Sequence, residues 1–450
     1  MPLTKALGEF VAGLTYAKIP PEAVKIARMG FVDCIGTMIA GRDEDAVQIL
    51  RKTLGIGGPS GEATLYFSDL RAPAPEAAWV NGVAGHALDF DDVALRGHPS
   101  TVLVPAILAE GEALGSSGEE MLAAYLAGYE TWAELVWRDQ GFHHVKGWHP
   151  TGIFGAIAAA AACASLRKLD ATKAAMAIAL GASQSAGLMA NFGTMTKPFH
   201  AGRSAHSGVI AARLAQAGFT SHLDALEHPQ GFLSAVSQHG EVDRTSEPKA
   251  LGKEWKILTE GLSIKKYPTC YCTHRAIDGA IELFKENPVK SEEVKEIRVS
   301  ISDRYATILR NHRPKTGLEA KFSMEFAMSS ALVAKRVGLP ELTDSFVQRP
   351  DIQSLIPRVA IDTTTEYMAD GSGAAPFDQV TVALTSGITL KGPEVRHATG
   401  HAELPLSDSE LFEKFQGCLE AGNAHNQAGA LFDRLMSLEK IQARQLATLA

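Results

Sequence analysis

Apolar residues recur at helical spacing through most of the first 260 positions. After Pro20-Pro21, the residues Ala23, Ile26, Ala27, Phe31 and Ile35 fall along one side of a helix that proline is suited to begin. Comparable patterns run through 75–88, 100–114, 118–137, 152–167, 171–187 and 203–217, many of them closed by glycine or a basic residue. The longest apolar run, Gly152 to Leu166, is rich in alanine and too short for a typical membrane span. It reads as a central buried helix whose small side chains let its neighbours come close.

The pattern changes after about residue 262. Ile297, Val299 and Ile301 alternate with polar residues, as do Val359 and Ile361, which is the period of a half-covered strand. Val380, Val382 and Leu384, then Ile388 and Leu390, flank Thr385-Ser386-Gly387 as a hairpin would. Helical spacing returns at 274–286 and 322–337, and again from about 405 to the end. The expected fold is mainly α with an α+β part: a large all-helical domain from 1–261 and 395–450, with a smaller α+β block at 262–394 inserted before the C-terminal helices. No repeat with a period of about 20–50 residues is visible.

Composition narrows the class. A chain of 450 residues with 46% hydrophobic and 21% charged residues suits a soluble globular enzyme of two or three domains. The net charge of -8 argues against a nucleic-acid partner and means that an anionic substrate must be drawn by a local cluster of cations. Five cysteines, an odd number, make no disulfide framework and point to the reducing cytoplasm. The opening MPLTKALGEFVAGL lacks a continuous apolar core, so no secretory signal and no membrane partner are expected.

Candidate chemistry gathers at three basic-residue–proline steps, His98-Pro99, His149-Pro150 and Lys197-Pro198. Proline pushes the preceding residue out of the helical region, which places all three near helix starts, where anions are favoured. Histidine titrates near neutrality, so His98 and His149 form an acid–base pair, and Lys197 suits a substrate carboxylate. In DFDD, Asp89, Asp91 and Asp92 read either as a capping and turn cluster or as carboxylates that orient a histidine. A magnesium diphosphate site would need a second acidic motif, and none is present. His143 and His144 lack the proline context and read as surface residues. His200, Arg203 and His206 follow at spacings of three and would share a helical face, making Arg203 a second carboxylate-binding candidate. In KKYPTCYCTH, Lys265 and Lys266 offer another cationic clamp. Cys270, Cys272 and His274 would share a face if that segment were extended, but they are too few for a zinc or iron–sulfur site without further ligands. Nothing in these residues requires a metal or an organic cofactor.

DFDD with GHPS, then GWHPTG, TMTKPFHAG, KKYPTCYCTH and AKFSMEF resemble the MmgE/PrpD family in order and spacing, from about residue 5 to about residue 440. The resemblance implies a large helical domain, a smaller α+β lid and a homodimer. It implies a catalytic set of Asp89, His98, His149 and Lys197, and it favours Lys265 as a substrate contact, with Tyr267 and Cys270 in the same motif. Family members include 2-methylcitrate dehydratase, cis-aconitate decarboxylase and iminodisuccinate epimerase, which act on small di- or tricarboxylic acids. Decarboxylating members carry histidine, tyrosine and threonine where this chain has Cys270, Phe326 and Val93. The expected activity is therefore a cofactor-independent dehydratase of the 2-methylcitrate type, with an epimerase as the alternative and a decarboxylase third. From another class, the chain could be a catalytically silent helical dimer.

Overall fold

A computed structural model describes residues 2–66, 68–139, 141–369 and 372–447. The chain forms two compact units, Met1–Leu262 with Asp408–Ala450, and Ser263–Ser407.

In the first unit, helices α1 (Leu3–Gly13), α2 (Pro21–Gly41), α3 (Ala74–Ala87), α4 (Ser100–Leu114), α5 (Gly118–Val136), α6 (Pro150–Leu166), α7 (Ala171–Ser183) and α8 (Thr196–Gln216) account for most of the core. Their starts are written in the sequence. Pro21 and Pro150 take the first helical position, and Ser117 closes a reciprocal cap with Glu120 on α5. Asp170 accepts the Lys173 amide at 2.9 Å to cap α7. α6 is the central helix expected, buried along its whole length apart from Ser165. The unit is not wholly helical, because β1 (Ala63–Thr64) and β2 (Arg71–Ala72) pair antiparallel in the connection between α2 and α3. The helix Asp408–Ala421 completes it by packing on α2.

Small residues set how near the helices come. A Cβ on Gly82 of α3 would stand 2.7 Å from the Gly202 Cα of α8, and one on Gly202 would stand 2.3 Å from the Trp79 carbonyl oxygen. Backbone meets backbone at this crossing, and it brings the end of α3 beside the start of α8.

The second unit is built on a four-stranded sheet in the order β4-β3-β5-β6. β3 (Val294–Ser302) runs parallel to β4 (Val359–Thr364) and antiparallel to β5 (Gln379–Leu384), which turns into β6 (Thr389–Lys391). Val294, Ile297, Val299 and Ile301 are buried, as their alternation requires. Helices α9 (His274–Glu286) and α10 (Met324–Val333) pack on β5 and β4 respectively. This unit extends past the expected end at 394, to Ser407. Val395 bridges Asp378, the Thr399 amide donates to Asp278 at 2.7 Å, and Gly400 lies against the Ile264 carbonyl, so 395–407 has its partners here. Among the described residues no helix is long and apolar enough to cross a membrane.

The crossing of α3 and α8 gives a direct test. Gly82→Ala should cost roughly 1–3 kcal/mol by forcing backbone apart. Gly417→Ala, in the exposed middle of Asp408–Ala421 with nothing within 4 Å of the added methyl, should be neutral or stabilise by up to about 1 kcal/mol. Urea denaturation of the two variants checks the contrast.

Candidate functional site

The three basic-residue–proline steps do lie at helix starts. His149 is the residue that precedes Pro150 at the head of α6, Lys197 is the second residue of α8, and His98 stands just ahead of Pro99, the cap of α4. Between α3 and α4 the chain makes two tight reversals. Asp89 has φ of 52°, a left-handed conformation that aspartate tolerates better than most residues. Ala94 and Gly97 then exchange backbone hydrogen bonds of 3.0 and 2.8 Å around Leu95 and Arg96, whose φ values are 52° and 61°. Leucine and arginine are unusual in a turn of this hand. They are held there from outside: Trp132 Nε1 donates to the Leu95 carbonyl at 3.1 Å, and Arg96 donates to the Gly141 carbonyl at 2.7 Å while stacking over Trp137. This clamped turn delivers His98.

Asp89, His98, His149 and Lys197 come together in the first unit. Lys197 Nζ donates to Asp89 in a buried ion pair. His98 Nδ1 lies 3.1 Å from Asp91 Oδ2 and 2.9 Å from the Asp92 carbonyl oxygen. The rings of His98 and His149 are 6.5 Å apart, and Phe192 packs edge-on to His149 at 4.8 Å while lying under the Lys197 ammonium at 5.4 Å. His149 Nδ1 meets His200 Nδ1 at 3.2 Å, so one of the two carries the proton they share. Burial, then the Lys197 charge, holds His149 well below the usual histidine range, which makes it a neutral imidazole.

The DFDD carboxylates divide their roles. Asp91 faces the His98 Nδ1 at 3.1 Å and accepts from a residue that sequence reasoning passed over, His86 on the last turn of α3, whose Nδ1 is 2.9 and 3.0 Å from the two Asp91 oxygens. The two histidines hold Asp91 well below the usual carboxylate range against its burial. Asp92 goes the other way: burial, with Asp33 and Asp91 nearby, raises it well above that range, while Ser100 Oγ donates to it at 3.0 Å. That shift favours the protonated form of Asp92. Asp33 on α2 is paired at 2.5 Å with Lys414, which also donates to the Phe90 carbonyl at 2.7 Å and so ties the helix Asp408–Ala421 to the turn.

Other expected placements need correction. His200, Arg203 and His206 do not act as one face. Each step of three residues precesses by about 60° around a helix, so His200 turns to His149 while Arg203 pairs with His206 and stacks over Trp79 at 5.2 Å. His143 is not a surface residue. It is buried edge-on to Phe154, with Nε2 3.4 Å from Asp139, and burial lowers its pKa to about 4. His144 is half-buried and its pKa is lowered to about 3, again by burial first.

Lys265, Tyr267 and Cys270 belong to the second unit and are all buried. Tyr267 donates to Asp278 at 2.6 Å, and burial raises its phenol. The Cys270 segment is not extended: Tyr271–Thr273 forms a 3-10 turn leading into α9, which removes the single face imagined for Cys270, Cys272 and His274. In the first unit, His86, Asp89, Asp91 and His98 offer ligand-type atoms within 4.8 Å of one another. The set does not fit a cation, because the Lys197 ammonium already occupies Asp89, His86 turns Nδ1 onto Asp91 in a hydrogen bond, and His98 turns Nδ1 onto the Asp92 carbonyl.

Residues 5–245 match the MmgE/PrpD N-terminal domain and residues 267–437 the MmgE/PrpD C-terminal domain. The chain is similar to cis-aconitate decarboxylase of Homo sapiens, 26% identical over 434 residues that cover 92% of this chain and 87% of the relative. It is similar to the Mus musculus enzyme of the same name at 25% over 429 residues, covering 92% and 86%. The Aspergillus terreus cis-aconitate decarboxylase is 21% identical over 464 residues, covering 98% and 94%.

The neutral histidines carry a pH signature. Burial and then the Lys197 charge depress His200 to about 4, below its value of about 6.5 in an unfolded chain. The unfolded protein therefore takes up the extra proton between those values, and His200 lowers stability as pH falls from 7 to 5. His200→Leu should lose less stability than the parent over that interval, by roughly 1–2 kcal/mol. Asp92 and Glu130, whose raised pKa values act in the opposite sense, cancel in the comparison. Denaturation curves of both proteins at pH 7 and 5 measure the difference.

Proposed function

We propose, since the chain belongs to the MmgE/PrpD family, that it is a cofactor-independent lyase which removes a proton next to a carboxylate of a small di- or tricarboxylic acid. The observation that carries this reading is the setting of His98. Both neighbours of its Nδ1, the Asp91 carboxylate and the Asp92 carbonyl, are acceptors, so Nδ1 carries the proton and Nε2 is the basic nitrogen. A neutral imidazole oriented by a carboxylate is a general base. His149, neutral and backed by His200, stands on the other side as the group that passes a proton to what leaves. Lys197 with Asp89 supplies a fixed cation for the charge that develops as the carbon loses its proton. In this reading Lys265 holds a substrate carboxylate, Tyr267 and Cys270 complete the contacts, and the second unit serves as the lid of a homodimeric enzyme, while Arg203, committed to His206 and Trp79, takes no part.

Loss of a β-hydroxyl as water completes the reaction as a dehydration, the outcome we favour; reprotonation from the opposite face would make it an epimerisation. Decarboxylation is the second reading, favoured by the names of the relatives. Against it, the decarboxylating family pattern puts proton donors where this chain has Cys270 and Phe326. Phe326 is fully buried, edge-on to Phe346, and has no hydroxyl to give.

The reaction is tested by incubating the protein in deuterated water with 2-methylcitrate, citrate, iminodisuccinate and cis-aconitate and following each by NMR. Deuterium exchange with loss of water from a hydroxy acid is expected. Exchange with inversion would give the epimerase, and rapid itaconate formation from cis-aconitate would give the decarboxylase. His98→Ala and Lys197→Ala should each lower turnover of the true substrate by at least about 10²-fold. Full activity in either variant would remove that residue from the mechanism.

A further inference from the structure

His86 has no part in the reaction just described, yet it is held by the same carboxylate as His98. It is fully buried on the last turn of α3, with Nδ1 within 3.0 Å of both Asp91 oxygens. Its ring lies 4.5 Å from that of His98 at an interplanar angle of 62°, and 5.9 Å from that of His149, nearly parallel at 20°. Its other nitrogen, Nε2, is buried with no hydrogen-bond partner among the described residues. Leaving such an atom unpaired costs stability, so a leucine would suit packing better; what leucine would lack is the N–H on Asp91.

We propose that His86 is a positioning residue for His98: by sharing the single Asp91 carboxylate, it holds both imidazoles as Nδ1–H tautomers and keeps His98 less basic than it would be with that carboxylate to itself. A carboxylate beside one imidazole stabilises its protonated form and raises its pKa by about 1–3 units. A base raised that far would be charged, and idle, at neutral pH. Divided between two donors, the same carboxylate still orients His98 but gives it less of that bias. The other groups facing the pair are Asp92 of the turn, biased toward its protonated form; Lys197 of α8 with Asp89; His149 at the head of α6; His144; and behind Asp91 the Asp33–Lys414 pair. Burial first, against the pull of Asp91, and then Lys197 oppose protonation of His86, so the imidazole nearest His98 stays uncharged.

The sharing is read without substrate. In protein labelled with nitrogen-15 at histidine, both His86 and His98 should show protonated Nδ1 and bare Nε2 at pH 7.5. In His86→Leu the titration midpoint of His98 should rise by about one pH unit. In His86→Asn, whose amide N–H takes the place of the Nδ1–H, it should return to the parent value. A His98 midpoint unmoved in His86→Leu, or an Nε2–H tautomer at either histidine, would overturn the proposal. Should the leucine variant fail to fold, the parent tautomers and the asparagine variant still decide. The catalytic consequence rests on His98 being the base of the proposed function: the acid limb of kcat/KM should then move up in step with the NMR midpoint. A moved midpoint with an unmoved limb would remove His98 as the base and leave the sharing of Asp91 intact.

Discussion

Four carboxylates, Asp33, Asp89, Asp91 and Asp92, are buried within one turn and the helix beneath it. Burying an unpaired charge costs several kcal/mol, so each must be paired or protonated. The first unit answers with four different partners. Lys197 comes from the start of α8, Lys414 from the helix near the C-terminus, and His86 and His98 from either side of the turn, while burial biases Asp92 toward its protonated form. Lys197 and Lys414 each answer one carboxylate, whereas His86 and His98 share Asp91. The site and the packing of α2, α3, α4, α8 and Asp408–Ala421 are therefore one problem with one solution.

The helices allow this because they are built of small residues where they cross. Glycine against glycine at α3 and α8 brings the last turn of α3, with His86, beside the first turn of α8, with Lys197. The clamped turn at Leu95 and Arg96 then spends backbone strain to aim His98. A buried, rigid floor of this kind fixes tautomers and distances in advance, which is what the proposed proton transfer at carbon would demand.

Much of this was legible in the sequence. Helices declared themselves by apolar spacing and by proline at their heads, as at Pro21 and Pro150, and the sheet by alternation at Ile297, Val299 and Ile301. The order of the motifs pointed to Asp89, His98, His149 and Lys197. What stayed hidden was partnership across distance. His86 sits in an apolar helix among alanine, glycine and valine, and nothing local distinguishes a histidine on Asp91 from one that merely fills space. Lys414 lies more than three hundred residues from the Phe90 carbonyl it holds. His143 reads as polar and is buried, and the boundary at Ser407 follows from contacts of Thr399 and Gly400 that no composition shift marks.

The account turns on the claim that neighbouring aspartates of one motif hold opposite charge states, Asp91 ionised to orient His98 and Asp92 neutral. Substitution by asparagine separates them, because it mimics a protonated acid and cannot mimic a carboxylate. Steady-state turnover of Asp91→Asn and Asp92→Asn, each confirmed as folded by circular dichroism, is the measurement. The expected result is a loss of about 10³–10⁴-fold for Asp91→Asn, as when a catalytic histidine loses its orienting carboxylate, with Asp92→Asn within about tenfold of the parent. Equal losses in the two variants, or a greater loss at Asp92, would contradict it.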